Sequence, residues 1–166
     1  MDIMIDKIKP ADAEALLAYL RDVGGETDNL TFGAEGLPFS VEDEAAMLAR
    51  MEGSNDAIMF TAKQDGRIVG LASLNRLPRR MRHRGDFAVS VRKDCWNRGI
   101  GSRLLTEVIR FAKEHDFEII DLQVRCDNVA AIHLYEKYGF QKLCTYPGFF
   151  KMESGQVDFD YMIMRL

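Results

Sequence analysis

No stretch of this sequence stays apolar for long. Ile68 to Leu74 (IVGLASL) is typical of its hydrophobic runs, and it falls far below the roughly 20 residues that a membrane span requires. Met1-Asp2 opens no cationic leader, so the chain is expected in the cytoplasm and off the membrane. A basic excess is also missing. With 22 Lys and Arg against 26 Asp and Glu, the formal charge of -4 disfavours nucleic acid as a partner and favours a small or cationic substrate. Cysteine is scarce: Cys95, Cys126 and Cys144 are odd in number, far apart and form no C-x-x-C pair. They read as reduced thiols, with no disulfide framework, and no metal is expected. The phosphate-binding pattern G-x-x-x-x-G-K-[ST] is absent, as is the third glycine of a dinucleotide fingerprint.

What is present suits one compact domain over residues 1–166, since 166 residues of 47% hydrophobic content can bury a sizeable core but not two. Ile3, Ile5 and Ile8 suggest a short strand. Ala13, Leu16, Leu17 and Leu20 share a helical face that Gly24-Gly25 is expected to end. Glu26 to Phe39 lacks periodicity and is long for a connection in a small domain, which marks it as a candidate functional loop. Ser40 caps a second helix whose Glu42, Asp43 and Glu44 suit the positive end of the helix dipole. Ala57–Lys63 and Arg67–Leu74 form a hairpin about Asp65-Gly66. Asp86 to Arg92 alternates as a strand with Asp86 and Val91 on opposite faces, and it runs through a glycine turn into a helix marked by Ile100, Leu104, Val108 and Phe111. Ile120, Leu122 and Val124 mark another strand, Val129 to Tyr138 a helix closed by Gly139, and Val157 to Ile163 a last strand; 141–156 reads as a loop. A strand-helix-strand unit implies parallel pairing, so the expected class is α/β, a mixed sheet with helices on both faces.

Two segments carry chemistry. In Trp96-Asn-Arg-Gly-Ile-Gly-Ser102 a strand passes directly into an amphipathic helix, so Gly99 and Gly101 admit a ligand to the main chain where unpaired helix amides point. A short G-x-G alone is more often only a tight turn. The second segment, Asn128 to Phe140, lies one strand further on. Together they resemble the GNAT superfamily of N-acetyltransferases. Gly99 and Gly101 match its [QR]-x-x-G-x-[GA] signature, with Trp96 where Gln or Arg is usual. Asn128, Ala131, Leu134, Tyr135, Gly139 and Phe140 match N-x-x-A-x-x-L-Y-x-x-x-G-F at every fixed position.

The resemblance implies a central mixed sheet of about seven strands, splayed between parallel strands 4 and 5, and acetyl-CoA as cosubstrate. The pantetheine arm would pair with main-chain groups of Val89 and Val91, the Val91 amide polarising the thioester carbonyl. The pyrophosphate would rest on Asn97, Arg98, Gly99, Ile100, Gly101 and Ser102, with Asn128 holding the arm from the other side. Tyr135 would protonate the departing thiolate; without the resemblance it reads as a core aromatic. Asp86 is the candidate base, standing where the family often has Glu, with a solvated strand-end carboxylate as the alternative; His83 is the second candidate. His115 reads as a helix C-cap and His133 as a surface residue. The run Arg76, Arg79, Arg80, Arg82, His83, Arg84 reads as a solvated loop or part of the CoA phosphate environment. Glu26, Asp28, Glu35, Asp158 and Asp160 are candidates for meeting a cationic acceptor. A small-molecule amine, a protein amino group, and a non-catalytic acyl-CoA-binding module are all carried forward, and homodimer formation is left open.

Overall fold

A computed structural model describes residues 2–166. Among these the chain forms one seven-stranded sheet in the order β1-β2-β3-β4-β5-β7-β6. The strands are β1 (Met4–Lys7), β2 (Ala57–Gln64), β3 (Arg67–Arg76), β4 (Arg84–Val91), β5 (Ile119–Arg125), β6 (Gln141–Met152) and β7 (Gly155–Arg165). Four α-helices cover them: α1 (Ala13–Glu26), α2 (Val41–Met51), α3 (Ile100–Glu114) and α4 (Val129–Lys137). β4 and β5 pair in parallel and every other neighbouring pair is antiparallel, as a mixed α/β sheet requires. No helix among the described residues is long and apolar enough to cross a membrane.

Alternation along the strands sends apolar side chains to both faces, so the sheet has a core on each. Ile100, Leu104, Val108 and Phe111 of α3 pack with Phe60, Leu74, Phe87, Ile120 and Leu122. On the opposite face Leu16, Tyr19, Leu20 and Val23 of α1 and Leu48 of α2 pack with Ile68 and Leu71. Leu104 is fully buried, so truncating it to alanine would cost about 2–5 kcal/mol. Ser40 caps α2 as expected, its Oγ accepting from the Asp43 amide at 3.1 Å. Asp65 and Gly66 take positive φ (+50° and +79°), the twist that a two-residue hairpin needs.

Two expectations are corrected. Gly24 and Gly25 do not end the first helix, which runs on to Glu26. A Cβ at Gly24 would lie 2.0 Å from the Gly33 carbonyl oxygen, so this glycine serves the close approach of the loop after α1 rather than a stop. Residues 141–152 are not a loop but the long edge strand β6. Pro147-Gly148 obscures its pattern, and both are tolerated because β6 pairs only with β7, with register shifts at Lys142/Cys144 and Tyr146/Phe150.

Candidate active site

The site begins where two strands part. β4 and β5 pair only from Arg84–Asp86 to Ile119–Asp121, and beyond Asp86 a cleft of about 600 Å³ opens between them. β4 stays paired to β3 on its other edge up to Gly70 opposite Val91, and the Arg92 amide donates to the Val69 oxygen at 2.9 Å. Successive residues of a strand direct their main-chain groups to opposite edges. The N–H and C=O of Val89 and Val91 therefore face the cleft.

At the far end of β4 the chain turns through Asn97 (φ +61°) and Gly99 (φ +73°) into α3. Gly99 is the residue preceding the helix, and Arg103 is the first whose amide closes back onto the Gly99 oxygen, at 3.1 Å. The amides of Ile100, Gly101 and Ser102 have no intrahelical acceptor, and the helix dipole makes that end positive. The two glycines have different reasons. Gly99 has open space around it but a left-handed backbone, whereas a Cβ at Gly101 would come within 3.3 Å of Leu134 Cδ2 on α4. The arginines point elsewhere: Arg98 donates to Gln64 Oε1 at 3.0 Å and Arg103 to the Ile3 oxygen at 2.8 Å. Anion attraction at this turn rests on the main chain.

The wall opposite β4 comes from β5 and α4. Asn128 caps α4, its Oδ1 accepting from the Ala131 amide at 3.3 Å, which leaves the side-chain NH₂ as a donor at the cleft wall. Tyr135 is 6% exposed and lines the cleft, its ring edge-on to Phe87 at 6.2 Å and tilted on Phe140 at 5.7 Å. Burial pushes its phenol well above the usual tyrosine range, so it keeps its proton at neutral pH. At the fork, Asp86 accepts from Gln123 Nε2 at 3.4 Å. Burial, aided by the like charge of Asp121, raises the Asp86 carboxyl above its ordinary value. Asp121 itself is 1% exposed and held by both Nε and the terminal nitrogen of Arg84.

Of the residues singled out in the sequence, Asp86, Val89, Val91, Asn97, Gly99, Ile100, Gly101, Ser102, Asn128 and Tyr135 all line this cleft, and Arg98 does not. His83 lies outside it, before β4. His115 bonds the Phe111 oxygen at 2.8 Å beyond the end of α3, and His133 is exposed. The basic run does not belong to a phosphate site. It sits at the start of β4, away from the glycine turn, where Arg76 pairs with Asp56 at 2.8 Å and lies 3.8 Å over the Phe117 ring, and Arg84 holds Asp121. The acids proposed for a cationic acceptor do not line the cleft either. Glu26 accepts from the Lys93 amide, Glu35 from Gly33, Asp158 from Gly148 and Asp160 from Lys142. Gln123 was missed by pattern reading. It belongs to the polar half of β5, Asp121, Gln123 and Arg125, whose period of two was visible beside the apolar half.

Residues 27–140 match the acetyltransferase (GNAT) family. The chain belongs to that family. The whole GNAT fold recurs in an acetyltransferase of the GNAT family from Streptococcus pneumoniae, at a TM-score of 0.95 and 30% identity, covering 99% of this chain and 100% of that one. Over 83 residues, 49% of this chain and 51% of the relative, it is 37% identical to the N-alpha-acetyltransferase RimI of Mycobacterium tuberculosis. Over 80 residues, 46% of this chain and 49% of the relative, it is 38% identical to the L-amino acid N-acetyltransferase AaaT of Escherichia coli. The chain spans about half the length of these two curated relatives. Enzymes of the GNAT family transfer acetyl groups from acetyl-CoA to amines, and the cleft of this member lies where its two signature segments meet.

Proposed function

We propose that this chain transfers the acetyl group of acetyl-CoA to a primary amine by direct attack in a ternary complex. The observation that carries the reading is the parting of β4 and β5 after Asp86, which leaves the main-chain N–H groups of Val89 and Val91 and the Val89 oxygen open in a cleft ending at the start of α3. The cleft volume of about 600 Å³ suits a cofactor-sized ligand. Val89 and Val91 would hold a pantetheine arm as an added strand, and the amides of Ile100, Gly101 and Ser102 would receive the pyrophosphate.

Bound acetyl-CoA supplies an activated thioester carbonyl. Asp86, desolvated and raised in basicity, takes a proton from the amine, directly or through a water; a lysine-type amine has a pKa of about 10.4 and cannot attack while protonated. A main-chain amide on β4 meets the negative charge that builds on the carbonyl oxygen, helping the transition state more than the ground state. Tyr135 packs against Phe87, which is nearer Val89 than Val91 along the strand, so we assign that amide to Val89 and leave Val91 to the arm. Tyr135 then gives its retained proton to the departing sulfur. The test is release of free CoA thiol from acetyl-CoA in the presence of amine, with acetyl-CoA binding measured by calorimetry. Amine-dependent thiol release is expected, and binding without release from any amine would leave a binding module.

A further inference from the structure

Four apolar side chains reach the cleft lining away from α3 and α4: Leu30 and Phe32 of the loop after α1, which also brings Thr27, Asn29 and Thr31, and Phe149 of β6 and Phe159 of β7. Phe149 and Phe159 stack with ring centroids 4.6 Å apart, and Phe150 braces Phe159 edge-on at 4.8 Å from behind the wall. Phe159 pairs with Arg125 on β5, one alternation from the Gln123 that bonds Asp86. The aromatic wall thus lies opposite Arg125, four residues along β5 from the Asp121 that pairs with Asp86.

Charge is scarce along the same walls. Among the described residues only Asp86 and Arg125 bring a charged side chain to the cleft. Arg125 is already committed: its Nε and one terminal nitrogen hold the Asp127 carboxylate at 2.7 and 3.1 Å, and the other terminal nitrogen donates to the Asp28 oxygen at 3.2 Å. An acceptor carboxylate would find no uncommitted cation here, and the second cation of a polyamine would find no second carboxylate. Burying either without a partner is costly.

Resting on the acetyl-transfer reading above, we infer that the acceptor is a primary amine borne on an aromatic or bulky apolar group and lacking a free α-carboxylate. A free arylalkylamine and the N-terminus of a peptide beginning with an aromatic residue share this chemistry. The test compares kcat/KM with acetyl-CoA for 2-phenylethylamine, L-phenylalaninamide, a Phe-Gly-Gly amide, L-phenylalanine, propylamine and spermidine. At least one of the first three is expected to exceed each of the last three by about tenfold or more, and their order separates a free amine from a peptide. L-phenylalanine, propylamine or spermidine matching the best aromatic amine overturns the inference.

Phe149→Ala is expected to lower the ratio of kcat/KM for 2-phenylethylamine over propylamine by about tenfold, and Phe149→Leu, which keeps an apolar wall on the edge strand, by less. An unchanged ratio in both variants overturns the assignment of the wall. Calorimetry with acetyl-CoA separates the two failures. No acetyl-CoA binding removes the acetyl-transfer reading and this inference with it, whereas binding without preference for aromatic amines removes only the acceptor class.

Discussion

The indole Nε1 of Trp96 donates a 2.8 Å hydrogen bond to the main-chain oxygen of Val91. It ties the glycine turn to the last residue of β4 and occupies the one Val91 group that would otherwise accept from a ligand, leaving the Val91 amide to donate. Trp96→Phe keeps a ring and removes the donor. Because Trp96 is 43% exposed, the melting temperature should change little, while acetyl-CoA affinity should fall roughly fivefold, the equivalent of one hydrogen bond of about 1 kcal/mol. Trp96 is also the single tryptophan of the chain and lines the cleft, so acetyl-CoA titration should change its emission. Calorimetry checks the first outcome and fluorescence the second.

The two turn glycines should fail differently. Gly99→Ala forces a Cβ into a left-handed backbone, at a cost of about 1–2 kcal/mol, without meeting any neighbour. Gly101→Val drives atoms into Leu134 and pushes α3 and α4 apart, so it should lower the melting temperature more and abolish acetyl-CoA binding with it. Thermal denaturation and calorimetry on both variants decide this; normal affinity in Gly101→Val would show that the α3–α4 contact does not shape the site.

Tyr135→Phe removes a hydroxyl and keeps the ring on Phe87 and Phe140. Folding and acetyl-CoA affinity should be retained, and kcat should fall by about 10²- to 10⁴-fold where chemistry limits the rate, less where water replaces the proton donor. A well-folded variant with unaltered kcat would return Tyr135 to the core.

Asp86 should trade stability for activity. Its carboxyl is raised in the fold, so below the ordinary carboxylate range the group is neutral in both states and costs nothing. As pH climbs from the unfolded value through the folded one, the native state must lose a proton that it holds more tightly, and stability falls until the charge is complete. Asp86→Asn should therefore raise the melting temperature at neutral pH and flatten its decline above the acid range, while kcat/KM falls by about 10²- to 10⁴-fold. In the unsubstituted protein the acidic limb of kcat/KM should lie above the ordinary carboxylate range. Melting curves across pH and a pH-rate profile check both arms.

Much of this is legible in the sequence. The β4 alternation, the α3 apolar face and the cap at Ser40 are local patterns, in which spacing along the chain already specifies which side chains share a face. The glycine turn and the Asn128 to Phe140 segment are equally local, so the family could be read from them and the cleft anticipated between them. β6 was not legible, because an edge strand paired on one side tolerates the Pro147-Gly148 break that would exclude a central strand. The destinations of the long charged side chains were not legible either. Arg76, Arg84, Arg98 and Glu26 each bond a partner far away in sequence, and only the folded sheet brings those partners within reach. The character of the acceptor end is tertiary for the same reason. Phe32 comes from the loop after α1, and it is the pairing of β5 with β7 and of β7 with β6 that brings Phe149 and Phe159 to the same cleft as Asp86. Local sequence specified the elements and their faces, while the surroundings of the reacting groups depended on long-range strand order, which no single stretch of chain encodes.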